Sequence, residues 1–391
     1  MSRRGFPRVV IAGAGFGGLW AAKRLVAEPV EVLLLDRNNY HTFLPLLYQV
    51  AAAELGPTEI AYPVRSIFRG ARNVRFRMAE VRGLDMDRRE VVTSLERITY
   101  DHLILALGSV SHFFGVEGAE EHAYPLRTME QAIPLRHQLL SRFEAAVYEG
   151  DAEKRRRLLT FAIVGGGPTG VEFAGALAEL IYGPLRKDYP MLETGEVRIV
   201  LLEAMDGLLP GMSEKLGRYA RERLVRRHVE VRTGAAVGRV RADAVELEDG
   251  GEIGAETVIW TAGVRGDPVA ERWGLPVGRG GRIEIEPTLQ LSSQPNVYVV
   301  GDLAYVEDEA GRPLPQIAPV AIQQAERAAA NILAAARGDE PEPFHYDDPG
   351  MLAVIGRNAA VADVKGRAFT GFFAWILWLV VHIFELIGFR N

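Results

Sequence analysis

Two glycine-rich turns, 152 residues apart, constrain this 391-residue chain more than any other feature. Val9-Val10-Ile11-Ala12-Gly13-Ala14-Gly15-Phe16-Gly17-Gly18 is echoed by Phe161-Ala162-Ile163-Val164-Gly165-Gly166-Gly167-Pro168-Thr169-Gly170. Each copy is an apolar run, then glycines, then a helix-forming stretch (Leu19 to Val26; Val171 to Ile181). A second apolar run ending in an acid follows each, Val30 to Asp36 and Val197 to Glu203. These are two openings of βαβ units. Their separation is far beyond solenoid periods, so it predicts two domains of one type rather than a repeat array.

A G-x-G-x-x-G turn has a specific physical use. The first glycine makes the tight turn, the second lets backbone approach a pyrophosphate, and the third lets helix and strand pack closely. The helix N-terminus then attracts the phosphate charge. The companion acid Asp36 comes 23 residues after Gly13, near the spacing of about 20 expected for a ribose-binding carboxylate. Glu203 follows Gly165 by 38, an excess assigned to a longer helix and the turn Tyr182 to Gly195. Ala204-Met205 after Glu203 offers no cation for a 2′-phosphate, which favours NADH over NADPH. Further strands are expected at Leu103 to Ala106, Thr257 to Gly263, and Asn296 to Val300 before Gly301-Asp302. Gly150 to Arg157 reads as a helical lead-in, Ala318 to Ala336 as an alanine-rich helix, Pro341 to Pro349 as a linker, and Met351 to Val364 as β-like.

Two dinucleotides in one chain imply hydride transfer between a held flavin and an exchanging nicotinamide. Composition narrows where electrons go next. With no cysteine, the chain has no disulfide, thiolate-held cluster or cysteine nucleophile. Forty-five Lys and Arg against 51 Asp and Glu give a net charge of −6, without the basic footprint of a nucleic-acid binder. No H-E-x-x-H motif or carboxylate pair suggests a metal. Met1-Ser2-Arg3-Arg4 reads as a solvated end rather than a secretory signal, because the apolar run behind it breaks at Gly13.

The chain resembles the type II NADH:quinone oxidoreductases, single-subunit, non-proton-pumping flavoproteins with the two-dinucleotide fold of glutathione reductase. The likeness rests on Gly13 to Gly18, Asp36 to His41, Gly165 to Glu172, Trp260 to Val264, Gly301-Asp302 and the tail from Trp375. It implies an α/β fold of two doubly wound dinucleotide-binding domains and a C-terminal amphipathic segment. The expected boundaries are 1–115 and 285–340 for FAD, 116–284 for NADH, and 341–391 for quinone and membrane. The expected FAD contacts are Gly13, Ala14, Gly15, Phe16, Gly17, Gly18, Asp36, Arg37, His41, Thr42, Val81, Ala106, Gly108, Gly301, Asp302 and Ala318. NADH falls to Gly165, Gly167, Pro168, Thr169, Gly170 and Glu203, with Gly263 and Val264 completing the cofactor set. Glu172, which the helix dipole also favours in its first turn, is placed where nicotinamide and flavin meet. For quinone, the family's Ala-Gln with a second Gln four residues later reads here as Ala318-Pro319 and Gln323, so proline replaces the first glutamine.

The stretch Gly371 to Phe389 is 19 residues with Glu385 as its only formal charge. Phe372, Trp375, Leu379, Ile383 and Leu386 are expected on one helical face, His382 and Glu385 on the other. That suits a helix lying in the interface, with Trp375 and Trp378 at headgroup depth, on the cytoplasmic face of the cell membrane. Family members typically continue past Asn391 with a second apolar helix, so attachment is expected to be weak or truncated. A homodimer is left open. Two competing readings stand: a relative reducing oxygen, a phylloquinone precursor or a soluble redox protein, and a nucleotide-sensing regulator without turnover.

Overall fold

A computed structural model describes residues 5–387 and divides into two compact units. Met1 to Arg4 and the last four residues of the tail lie outside the described residues.

The first unit comprises the chain through Thr42, Ala61–Val110 and Val264–Asp348. Its six-stranded sheet runs in the order Gln290–Leu291, Gln294–Val299, His102–Leu105, Arg8–Ala12, Glu31–Asp36, Val74–Met78. All neighbours are parallel except the first pair. Parallel strands buried on both faces read as near-continuous apolar runs, as Val9 to Ala12 and Leu103 to Leu105 do. The helices Phe16–Arg24 and Ala318–Arg337 pack together in this unit. Residues 264–284, expected with the second nucleotide unit, lie in the first. The reason is their core: Ala270, Leu275 and Ile283 are buried with Val10, Leu103 and Val297.

The second unit comprises Phe43–Ile60, Ser111–Gly263 and the chain from Pro349 onward. Its five-stranded parallel sheet has the order Ala123–Pro125, Thr257–Trp260, Thr160–Val164, Arg198–Leu202, Val229–Arg232. The helix Pro168–Leu180 runs on into a π turn at Ile181–Leu185, and a 3-10 turn at Thr194–Glu196 precedes the next strand. That insertion accounts for the late Glu203. The expected β-like segment is two strands of a three-stranded antiparallel sheet, Met351–Gly356, Ala359–Val364 and Arg367–Gly371. The helix Pro168–Leu180 lies on it so closely that a Cβ on Gly175 would sit 2.2 Å from the Ile355 carbonyl oxygen.

The tail forms the helix Phe372–Ile387, and its orientation corrects the expected faces. Ala374 and Trp378 are buried, and His382 stacks on Trp378 with its Nδ1 2.8 Å from the Trp378 carbonyl. The His382 side of the helix therefore packs on the unit, because Trp378 is buried and His382 meets both Trp378 and Phe43, while Glu385 stays half-exposed. Outward stand Phe373, Ile376, Val380, Ile383 and Phe384, at helical spacing.

Both loops set their glycines by contact. A Cβ on Gly18 would lie 1.7 Å from the Gly13 carbonyl oxygen, and one on Gly170 1.9 Å from that of Gly165. Around Gly15 and Gly167 space is open. Gly18→Ala and Gly170→Ala are expected to cost about 3 kcal/mol as overpacking, read as a lowered Tm. Gly15→Ala and Gly167→Ala should leave Tm nearly unchanged while weakening nucleotide binding.

Candidate active site

The two loops are built alike down to their hydrogen bonds. In the first, the strand Arg8–Ala12 ends in Gly13, whose positive φ of +105° turns the chain beneath the Ala106 carbonyl. The Asp36 carboxylate, closing the neighbouring strand, accepts the Ala14 N–H at 2.6 Å and the Asn38 N–H at 2.7 Å. In the second, Gly165 turns at φ +110° against Ala262. The Glu203 carboxylate accepts the Gly166 N–H at 2.6 Å and the Met205 N–H at 2.8 Å. Each acid thus ties its loop to the second strand and keeps lone pairs for ribose hydroxyls, since an ionised carboxylate has about four acceptor positions. Gly15 and Gly167 each precede a helix N-terminus with room beside the backbone, which suits a pyrophosphate. The residues present therefore fit two dinucleotides.

Around the first loop, His41 is buried with Nδ1 2.8 Å from the Ala14 carbonyl, and its ring meets the edge of Phe16. Burial pushes its pKa down to about 4, so at neutral pH the ring is uncharged and shapes the loop. Arg37 and Thr42 flank this strand end, Val81 opens the strand Val81–Asp85, and Gly108 adopts φ +76°. Asp302 sits in the 3-10 turn Gly301–Leu303, where its carboxylate accepts the Ser109 hydroxyl at 2.6 Å. Gly301 itself, at φ +73°, donates its N–H to the buried Gln324 side chain at 2.7 Å. Neither Ser109 nor Gln324 belonged to the expected site. Their partner Gly301-Asp302 was the only signal that could have led to them.

Ala318 and Pro319 begin the helix Ala318–Arg337, a place where proline's missing N–H costs nothing. Gln323 differs from its expected role. Its Nε2 donates to the Asp347 carbonyl at 2.8 Å and its Oε1 accepts the Asp347 N–H at 3.0 Å. The amide is spent on stapling the helix to the segment before Pro349.

Thr169, in the first turn of the helix Pro168–Leu180, and Glu172, which falls one turn further in than expected because the helix starts at Pro168, line a cavity of about 70 Å³ with Tyr48, Leu126 and Arg127. Glu172 Oε1 accepts the Val354 N–H at 3.2 Å. Burial raises its pKa to about 8, only partly opposed by hydrogen bonding, so the carboxyl is mainly neutral at pH 7. Tyr48, almost fully buried, is pushed well above the usual phenol range, first by burial and then by Glu172. At the strand end beside the second loop, Thr261 Oγ1 donates toward the Val164 carbonyl at 2.8 Å and lies 3.1 Å from that of Gly165. Gly263 follows at φ +63°, and Val264 opens the strand Val264–Gly266 of the first unit. A cavity of about 970 Å³ in the first unit lies at the opposite ends of the strands, beside Arg8, Glu31 and Arg75. Ligands of such sheets bind outside the carboxyl ends, so this one is not the nucleotide cleft.

The fold and paired loops are those of a dinucleotide-dependent oxidoreductase, and the family model for pyridine nucleotide-disulphide oxidoreductases matches residues 7–325. A type II NADH:quinone oxidoreductase, Ndh, of Mycobacterium tuberculosis is 40% identical over 98% of this chain and 85% of its own length. One from Staphylococcus aureus is 33% identical over 93% of this chain and 91% of its own. Among solved structures, NDH2 from Plasmodium falciparum in complex with NADH has a TM-score of 0.90 at 18% identity, covering 98% of this chain and 97% of that one. The sulfide:quinone oxidoreductase of Aquifex aeolicus has a TM-score of 0.78 at 19% identity, over 98% and 92%. The chain belongs to the type II NADH:quinone oxidoreductase family. It is therefore an oxidoreductase rather than a regulator without turnover, and it binds flavin and NAD(H).

The raised Glu172 pKa has a consequence for stability. A carboxyl whose pKa is about 8 folded and 4.5 ordinarily supports the fold below pH 4.5, and that support is lost as pH climbs toward 8. Glu172→Gln removes the titration and keeps an acceptor for the Val354 N–H. Its Tm should gain on the parent as pH rises from 5 to 9. A Tm difference that does not move with pH rules the buried-acid description out.

Proposed function

We propose that the protein takes hydride from NADH onto a tightly but non-covalently held FAD and passes two electrons to a quinone, without pumping protons. The observation that carries this reading is the duplicated clamp, Ala14 with Asp36 and Gly166 with Glu203, in a chain without cysteine. The first loop, with Asp36, His41 and Asp302, holds the flavin, while the second, with Glu203, holds NADH. That order follows the family resemblance. A flavin held by these residues would supply the hydride acceptance and the one- or two-electron release that the reaction needs.

The chain's own part is alignment and electrostatics. Glycine-loop N–H groups and helix N-termini take the phosphates, and the two clamp acids take ribose. Glu203 also discriminates, because the 2′-phosphate of NADPH would meet its carboxylate. Glu172, held neutral, offers a proton-bearing carboxyl inside the second unit, able to orient a carboxamide or hold a proton at Oε. Neutral His41 adds no charge beside the flavin pyrophosphate.

The protein works as a peripheral enzyme on the cytoplasmic face of the cell membrane. Among the described residues no helix is long and apolar enough to cross a membrane. The exposed row Phe373, Ile376, Val380, Ile383 and Phe384 supports interfacial docking instead. Phe373→Ser combined with Phe384→Ser should abolish co-sedimentation with phospholipid vesicles while NADH oxidation with a water-soluble quinone persists. Unchanged sedimentation rejects the docking.

A second reading, a soluble or oxygen acceptor, is favoured by Pro319 and by the commitment of Gln323 to Asp347. Purified protein supplied with FAD is expected to be yellow, to bleach anaerobically with NADH, and to recolour with menaquinone or ubiquinone analogues. Recolouring by oxygen or a soluble redox protein and by no quinone would establish the second reading. Protein that retains no flavin after FAD is supplied rejects both.

A further inference from the structure

We propose that Phe114 is a positioning residue for the nicotinamide half of the pyridine dinucleotide, an inference that rests on the NADH reading above. Phe113 to Val116 form a tight turn closed by the Val116 N–H on the Phe113 carbonyl at 2.9 Å. Its central residues, Phe114 and Gly115, have φ of +53° and +76°. Two positive φ values in succession mark a type I′ turn, whose first centre normally takes Asn, Asp or Gly. A phenylalanine there is strained, and the residue is 60% exposed. A left-handed phenylalanine held in place by its surroundings, with its side chain exposed beside the second loop, is an outlier of the kind that marks ligand clamps.

The strap holding the ring is fixed on both sides. His112 donates its N–H to the Gly263 carbonyl at 3.2 Å, and Trp260 Nε1 donates to the His112 carbonyl at 3.0 Å. The Phe113 ring turns inward onto Trp260, and the His112 ring lies 4.3 Å from that of Phe114. Beneath the exposed ring only glycine fits: a Cβ on Gly263 would lie 2.3 Å from Phe114 Cζ. Gly263 follows Ala262, the residue against which Gly165 turns.

Sheet order says which half of the ligand reaches this ring. The strand Thr160–Val164, carrying the glycine loop, has Arg198–Leu202 on one side and Thr257–Trp260 on the other. Glu203, ending the first of these, takes the adenosine ribose, so the pyrophosphate crosses at the loop. The nicotinamide half then lies on the Thr257–Trp260 side, where Phe114 stands. A rigid aromatic face beside a nicotinamide ring gives an offset stack that limits its tilt.

The test uses the full-length flavoprotein with Phe114→Ala, Phe114→Leu, Phe114→Tyr and Phe114→Gly. The readouts are KM for NADH, Ki for ADP-ribose (which keeps the adenosine and pyrophosphate but lacks nicotinamide), and the long-wavelength charge-transfer absorbance after NADH reduction. Phe114→Ala is expected to raise the NADH KM about tenfold, the upper end of what an aromatic pair contributes, and to weaken the charge-transfer band. ADP-ribose Ki stays within about twofold, Tyr restores the parent values, and Leu falls between. Phe114→Gly relieves the turn, so undiminished heat stability with the same NADH defect separates positioning from folding. Parallel weakening of NADH and ADP-ribose, loss of FAD, or no change in any readout overturns the assignment. A parent protein that oxidises no NADH overturns the underlying reading instead.

Discussion

The nucleotide-type sheets of this protein depend on one repeated interaction: a carboxylate at the end of the second strand receiving the N–H of the second loop residue. Asp36 does this for Ala14 and Glu203 for Gly166. Such charge-assisted bonds contribute about 1.5–3 kcal/mol each. They also decide the local sequence. A Cβ on Gly166 would come within 3.0 Å of Glu203 Oε2 and 2.6 Å of Leu208, so the longer acid is matched by glycine. Opposite the shorter Asp36, alanine is accommodated. The two copies have kept the bond and exchanged side-chain length against loop bulk.

That clamp leaves the glycines with separate jobs. Gly13 and Gly165 are held by left-handed φ and by a wall of neighbouring backbone, Gly18 and Gly170 by the carbonyl of the loop's own first glycine. A Cβ on Gly15 or Gly167 would meet nothing within 4 Å, which leaves room there for phosphate oxygens. The first two pairs build the fold, and under the proposed function the last is left for the ligand. Without cysteine, the cofactors so held must carry the redox chemistry themselves.

Much of this was legible in the chain because it is governed by local rules. Strand, glycine turn, helix and acid follow one another within a few dozen residues, and each imposes its own residue types. What escaped was set by distant partners. Gln323 looked like a ligand-facing amide, yet its two groups close on the Asp347 backbone, a pairing no periodicity encodes. Residues 264–284 follow the second sheet in sequence but bury Leu275 and Ile283 in the core of the first. Phe114 was invisible because nothing in Phe113-Phe114-Gly115 announces a left-handed phenylalanine.

The tail shows the same limit with a functional consequence. Hydropathy alone put His382 and Glu385 on the solvent side, since polar groups are ordinarily exposed. Instead the helix turns Ala374, Trp378 and His382 toward its own unit and presents Phe373, Val380 and Phe384 outward. Burial lowers the His382 pKa and raises that of Glu385, shifting both toward their neutral forms. Docking the outward row on a lipid surface therefore brings little fixed charge to the low-dielectric boundary, where each ionised group would be costly. Under the proposed docking, the helix keeps His382 and Glu385 half-buried and turned from their charged forms, which is how its two titratable groups are tolerated at such a boundary.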